Sequence, residues 1–503
     1  MDERSDALIS DINSSNLGLK KTGLSWKKLI IFVSIAIAAI ILVIVLIILL
    51  TKNSSDNPSE EKITVGNIYC IYDISSDRTE TSILGNEFNK LSNFDIYING
   101  KIVKYSKAHK FDKIGTNSIE FKLYENINMD NMFKDVSSLI SVEIKSYNKT
   151  EITSMISSFE NCENLIEFSI SGFSTKNIKS LKKLFHNTQL KMLNLTDFDI
   201  SNVEDISYML ASTSLEEFDF SNLNTENIID MSYLFYDCSE LKSLDLSKIN
   251  TKKVQNISHM FEGVVSIREL DLSNFVTDNV KDMSYLFKNC YFLSEIKLNN
   301  FNTKLVQDMS HMFEECSSIE SLNLANFNTK NVKNMSYMFK FCTSLEDLNI
   351  NSFDVSQVED MSQMFYFCNY IEQLNLTNFI SKKIKNISYM FYFCTSLHTI
   401  NLPYFDTSNV YNMSHLFEDC ISLVNLNIPL FKTNNVIDMS AMFLDCSKIE
   451  KIDTSLFETS NVKNMSQMFE GCLYLTSLDL SNFNTEQVES LSNMFKYNLL
   501  IQI

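Results

Sequence analysis

From about residue 126 onward, the apolar positions fall on one template. The stretch 334–348, NMSYMFKFCTSLEDL, is a clear copy. Its aromatic position, Phe339, has counterparts from Phe133 through Leu210 to Phe495. The step between them is 26 residues at every repeat after Phe235, and 26 or 25 before it. A fixed period of this size predicts a stacked repeat array, in which each unit buries its apolar face against its neighbours. Within one unit, the segment S-L-x-x-L-x-L-x-x-F alternates and predicts a strand carrying Leu345, Leu348, Ile350 and Phe353. Five residues before each aromatic marker stands Asp, Asn or Ser (Asn334, Asp360 and Asn386 are examples). Those side chains accept hydrogen bonds from the free N–H groups of a helix's first turn. Met335, Met338, Phe339 and Cys342 then follow at spacings of three, one and three, one face of a helix. The expected unit is therefore strand, turn, helix of about two turns, turn. The expected fold class is an α/β repeat solenoid, a leucine-rich-repeat-like stack of strand plus short helix units. A small N-terminal β capping module and one transmembrane helix complete it.

Residues 63–125 read differently, with alternating segments rich in Ile, Tyr and Val. FDIYI-NG-KIVKY predicts a hairpin, because Asn99 and Gly100 accept the positive φ angles of a two-residue turn. This β-rich module is read as a cap for the first repeat, with a separate ligand-binding β domain as the alternative. Residues 29–50 form 22 consecutive uncharged, predominantly apolar residues, enough to cross a hydrocarbon layer of ~30 Å as a helix. Lys20, Lys21, Lys27 and Lys28 precede the run and Lys52 alone follows closely. The positive-inside bias then places 1–28 as a cytoplasmic tail, 29–50 as a signal-anchor helix, 51–62 as a linker and the C-terminal ectodomain outside. The expected localisation is the plasma membrane, single-pass and type II. The chain ends on KYNLLIQI, which is read either as a coil capped by another molecule or as a shortened chain.

A net charge of −19 over 503 residues argues against nucleic acid, since phosphate binding needs a basic face. Ten of the eleven Cys share the slot three residues after the marker, Cys342 among them. A disulfide ladder, a metal site and a small buried residue all fit that slot; zinc would want ligands paired at short spacing, and none are. His259, His311 and His415 share the slot two before the marker and read as solvated surface. No nucleophile, base and orienting group stand at a telling spacing, so the chain is read as no enzyme, with no cofactor and no metal.

The consensus N-F-N-T-x-N-V-x-[DN]-M-S-x-M-F-x-x-C-x-S-L-x-x-L-[DN]-L resembles the BspA-like leucine-rich repeat, the 26-residue unit of mycoplasma and protist surface proteins. The resemblance covers 126–503, about 15 copies. It implies a parallel strand stack, surface location and roles in adhesion or binding. The chain departs from it where ordinary leucine-rich repeats place a turn Asn: here Phe275, Phe301, Phe327 and their counterparts form a Phe spine. No lipobox Cys follows the apolar segment, which points to a eukaryotic plasma membrane.

Two outward surfaces are candidate sites. One is the sheet-face row Asp219, Asp245, Asp271, Lys297, Asn323, Asn349 and onward, whose Asp carboxylates would repel unless solvated or neutralised. The other is the aromatic cluster Tyr337, Phe341, Tyr366, Phe367, Tyr389, Tyr392 and Phe393. Neighbouring repeats place Glu, Asp, Lys or Gly at most of those slots. Exposed aromatic residues on a polar surface suggest a partner site, with an unseen packing element as the alternative. Asn53 and Asn148 are the candidate glycosylation sites. The expected function is a cell-surface repeat protein for protein or glycan binding, in adhesion or recognition. The alternative is a structural surface coat that self-associates laterally.

Overall fold

The structure is a computed structural model that describes residues 62–75, 80–89, 93–195 and 197–501. The first part is built on two long strands, Gly66–Ile74 and Gly115–Leu123, paired antiparallel. Gly115–Leu123 pairs on its other side with Phe94–Ile98, which turns through Asn99 (φ 47) and Gly100 (φ 79) into Lys101–Val103. Strand Gly66–Ile74 pairs in turn with Leu139–Ser146 of the repeat region, and that strand pairs in parallel with Glu167–Ser171, which pairs with Met192–Asn194. One seven-stranded sheet thus runs from the N-terminal module into the first coils. The open edge of the array is covered by backbone hydrogen bonding, which removes the pairing hazard of a free edge.

Beyond this sheet the chain is a β-solenoid of about 12 turns. Three-residue strands pair in parallel with their copy 26 positions on, as in Ser321↔Asp347 and Thr399↔Asn425. A second ladder joins the Asp/Asn/Ser slot from Ser180 through Asn334 to Ser490, coil by coil.

The described residues hold no helix, so the expected α/β stack of strand plus short helix is corrected to an all-β coil. The segment read as helical shows why. Asn334 does accept an N–H, from Ser336 (3.1 Å), but this i to i+2 bond starts a turn as readily as a helix. The N–H groups of Met335, Tyr337, Phe339 and Phe341 then donate to the next coil, at Asp360, Ser362, Met364 and Tyr366 (2.8–3.0 Å). Between them Met338, Lys340 and Cys342 donate three residues back, to Met335, Tyr337 and Phe339. The segment is a chain of tight turns. Tyr337 (φ 61) and Phe341 (φ 58) adopt the left-handed conformation that makes such turns possible, and their counterparts do so throughout the array. Met335, Met338, Phe339 and Cys342 still point inward and are buried. Three-residue turns in series reproduce the apolar spacing of a helix.

The core is layered by slot. The marker rings stack from Phe133 to Phe185 and, after the break at Leu210, from Phe235 to Phe495, with centroids 5.4–6.0 Å apart. The Phe spine is buried too; Phe275, Phe301 and Phe327 stack at 6.3 Å. The cysteines are free and buried, and Cys342 donates its thiol hydrogen to Phe313 O (3.1 Å). Burial pushes their thiols up, Cys394 to about 12.

The expected single-pass type II plasma-membrane placement is also corrected. Among the described residues no helix is long and apolar enough to cross a membrane. The segments 1–28, 29–50 and 51–61, on which that expectation rested, lie outside the described residues.

Candidate functional site

The site is assembled by the turns that follow each Asp/Asn/Ser position. Because the N–H ladder repeats every 26 residues, side chains of one slot stand above one another in a column. Three columns form the candidate face. They lie two residues before, one after and two after the marker.

The first column stacks Tyr208, Tyr233, His259, Tyr285, His311 and Tyr337 ring on ring, at 4.1, 4.1, 4.3, 4.2 and 4.4 Å. Gln363 continues it by donating an Nε2 hydrogen bond to the Tyr337 hydroxyl (2.8 Å), and Tyr389 stacks on His415 (4.3 Å). The reading of His259, His311 and His415 as solvated surface is therefore corrected. Their side chains are only 17%, 16% and 27% exposed. Each also pairs through Nδ1 with a carboxylate three residues on: Glu262, Glu314 and Glu418. From Tyr208 to Tyr337 the slot holds flat, stacked rings, while farther out it also takes Lys183 and Ala441.

The second column carries most of the charge. Glu160 contacts Lys183 (2.8 Å) and Lys134 (3.6 Å), Glu314 contacts Lys288 (3.0 Å) and Lys340 (3.7 Å), and Glu470 contacts Lys496 (3.1 Å). Burial works to raise the Glu314 carboxyl, but hydrogen bonds from His311 and Lys288 hold it below its ordinary value.

The predicted aromatic residues sit where the second and third columns change character. Tyr366 stacks on Tyr392 (4.5 Å, 14°) and Phe367 on Phe393 (4.2 Å, 12°), while Phe341 tilts against Phe367 (5.2 Å) and Tyr366 (5.3 Å). Tyr389 contacts Tyr366 (6.2 Å) and Tyr392 (5.7 Å). Tyr337 joins through Lys340, whose ammonium lies 4.8 Å from the Tyr337 ring, 5.5 Å from Phe341 and 5.2 Å from Tyr366. All seven residues thus fall in one wall. Each is half-buried, its rings against other rings. Beyond Phe393 the third column continues as Asp419, Asp445 and Gly471, along a groove of about 470 Å³. Burial, Glu418 and Asp445 together push the Asp419 carboxyl up to about 6. The sequence reading did not include these acids. The signal was there: Phe gives way to Asp within one slot.

The sheet-face row is solvated and locally paired. Asp219, Asp245 and Asp479 accept the N–H of Ser221, Ser247 and Ser481 (2.6–2.8 Å) as turn formers. The Ser247 backbone bond holds Asp245 below its ordinary value. Lys297 lies 3.3 Å from Asp271, and Asn427 donates to Asn401 (2.6 Å). These carboxylates are satisfied locally. Asn148 is exposed in a bend, and Asn53 lies outside the described residues.

Comparison with known proteins gives a family match. The family described as "Mycoplasma protein of unknown function, DUF285" matches residues 105–219, 211–321, 291–402 and 385–501. No curated protein matches the chain. Among solved structures, a leucine-rich repeat protein from Eubacterium ventriosum ATCC 27560 is similar at 16% identity, over 66% of this chain and 90% of that one, with a TM-score of 0.32. A TLR13–ssRNA13 complex is similar at 14% identity, over 71% of this chain and 61% of that one, with a TM-score of 0.18. The BspA-like leucine-rich-repeat resemblance of the sequence holds at the level of the repeat family.

Proposed function

The chain belongs to the family of Mycoplasma proteins of unknown function DUF285, and from that premise we propose that it is a recognition protein. Its repeat array presents the aromatic wall of Tyr337, Phe341, Tyr366, Phe367, Tyr389, Tyr392 and Phe393 to a protein or glycan ligand, in adhesion or recognition. The observation that carries this reading is the wall itself. Five of the seven rings, Phe341, Tyr366, Phe367, Tyr392 and Phe393, stand in slots that other coils fill with Glu, Asp, Lys, Asn or Gly. They stay half-exposed, although apart from Tyr236 and Tyr497 the other coils fold without a phenyl or phenol ring in those slots. Half-exposed rings held rigid by stacking lose little conformational freedom on binding, which is what anchors at interfaces provide. The coils are fixed to one another by backbone bonds at every turn, so the face is preformed.

The test compares the full chain with the variant Phe341→Leu, Phe367→Leu, Phe393→Leu on a printed array of glycans and purified proteins. Leucine keeps the slots apolar and removes the ring faces. The expected result is a ligand bound by the wild type and lost, by tenfold or more, in the triple variant. Tyr474→Leu, an exposed ring on another part of the coil, should bind as the wild type does. A triple variant that binds its ligand unchanged contradicts the reading.

A further inference from the structure

The wall ends in a step. Phe393 is stacked on Phe367 at 12° and Tyr392 on Tyr366 at 14°. The opposite faces of Phe393 and Tyr392 therefore look toward the next coil, where the same slots hold Asp419 and Glu418. Those acidic side chains are shorter than a ring. Asp445 and Gly471 follow in the third column. A Cβ on Gly471 would come within 2.0 Å of Asp445 Oδ1, so glycine leaves that carboxylate its place. Beyond these two faces runs a groove that carries Asp419 and Asp445, with Ile421, Leu473 and Leu499 on its apolar side and Tyr497 farther along the column; the charges of Glu418 and Asp419 reach Tyr392 from the next coil.

The rest of the molecule shows what this combination holds. Glu314, Glu160 and Glu470 each take a lysine ammonium from a neighbouring coil, and that ammonium also lies against a ring. Lys340 lies near Tyr337, Phe341 and Tyr366; Lys183 is 5.7 Å from Tyr208; Lys496 is 4.6 Å from Tyr497. The arrangement recurs because a ring's π face and a carboxylate both attract a cation. Glu418 occupies the same slot as those glutamates. Its neighbours in the column are Tyr392 and Leu444, and among the described residues His415 is its ion-pair partner, with no lysine in contact. Asp419 and Asp445 likewise have no ion pair among the described residues, and burial first, then the charges of Glu418 and Asp445, push the Asp419 carboxyl up to about 6. A cation placed here meets three carboxylates and two ring faces.

We propose that the step formed by Tyr392, Phe393, Glu418, Asp419 and Asp445 binds a lysine or arginine side chain of a partner protein. This rests on the reading of the wall as a recognition face and names its ligand class. The occupant is an extended basic segment. Its cationic group takes the position relative to Glu418 that Lys340 takes relative to Glu314, and its backbone lies along the groove beside Ile421 and Leu473.

The test is a binding titration of the full chain, at 150 mM salt, with a synthetic peptide alternating Lys and Ser and with its Glu–Ser counterpart. The wild type should bind the Lys peptide and not the Glu peptide. Leu444→Lys places an in-chain ammonium 26 residues after Glu418, as Lys340 stands after Glu314, and should weaken the Lys peptide at least tenfold without lowering the melting temperature. Asp419→Asn with Asp445→Asn should also weaken it at least tenfold. Asp245→Asn with Asp479→Asn removes the same charge from the sheet face and should stay within twofold of the wild type. A wild type that does not bind the Lys peptide, either site variant that binds as the wild type does, or a control that loses as much overturns the proposal. If the Lys peptide fails while the triple leucine variant still loses its array ligand, the recognition reading stands and only this inference falls.

Discussion

At the scale of the residue, function and fold meet in single slots that tolerate a left-handed backbone. Phe341, Phe367, Phe393, Asp419 and Asp445 all have φ between 56 and 62°. That conformation costs a residue with a Cβ roughly 1 kcal/mol or more relative to glycine. Gly471 occupies the same slot at φ 72 without that cost. The side chains that remain there have to repay the strain by stacking or by what they bind. Asp419 gives a pH test. Its folded carboxyl titrates at about 6 against an ordinary 3.8, because burial, Glu418 and Asp445 disfavour the charge. The folded state therefore holds this proton more tightly than the unfolded state. The group adds stability as pH falls below about 6, in full only below its ordinary 3.8, and that contribution is lost as pH rises through about 6. Asp419→Asn removes the repulsion at neutral pH. The variant should melt above the wild type at pH 7, and the gap should shrink by more than half at pH 4.5. The same offset at both pH values would contradict the assignment.

At the scale of the element, the coil was legible in its period and its buried positions but not in its secondary structure. Leu345, Leu348, Ile350 and Phe353 are buried as the alternating pattern requires. Asn334 makes the side-chain bond that its identity predicts. The helix failed because two signals are degenerate. An Asp or Asn that accepts the i+2 N–H can open a turn, and spacings of three, one and three arise from successive turns as well as from a helix. What decides between them is the partner of each N–H, one coil away and invisible in a single repeat. The threonine row shows the same blindness. In the sequence Thr329 is a polar residue of the turn, with no partner in its own repeat. In the structure it is buried, donates to Asp354 O (2.9 Å) and accepts from Asp354 N (2.7 Å), tying one coil to the next. Thr329→Val keeps the shape and leaves both backbone groups without that partner. It should cost about 1–3 kcal/mol, read as a lower melting temperature, whereas Thr329→Ser should recover most of the loss. Equal stability of the valine variant would show that this ladder is not structural.

At the scale of the whole molecule, the candidate face depends on the coil being free of helix. Only a stack of turns with hydrogen bonds from coil to coil places Phe341, Phe367 and Phe393 directly above one another and carries the column on into Asp419 and Asp445. Five of the seven wall residues, Phe341, Tyr366, Phe367, Tyr392 and Phe393, could be picked out in the sequence because they interrupt a mostly polar consensus. Their ring-on-ring order could not, since it depends on the rise between coils. The same holds for the lysine–glutamate column, whose partners lie in neighbouring repeats. The most direct measurement is the relative stability of Asp445→Gly and Asp445→Ala, taken from thermal melting of the full chain. Asp445 is exposed and has φ 56. In a helix, alanine would be the more stable of the two by about 1 kcal/mol. In the left-handed corner described here, glycine should be the more stable by a similar amount. Glycine above alanine is the result this account predicts, and alanine above glycine would contradict it.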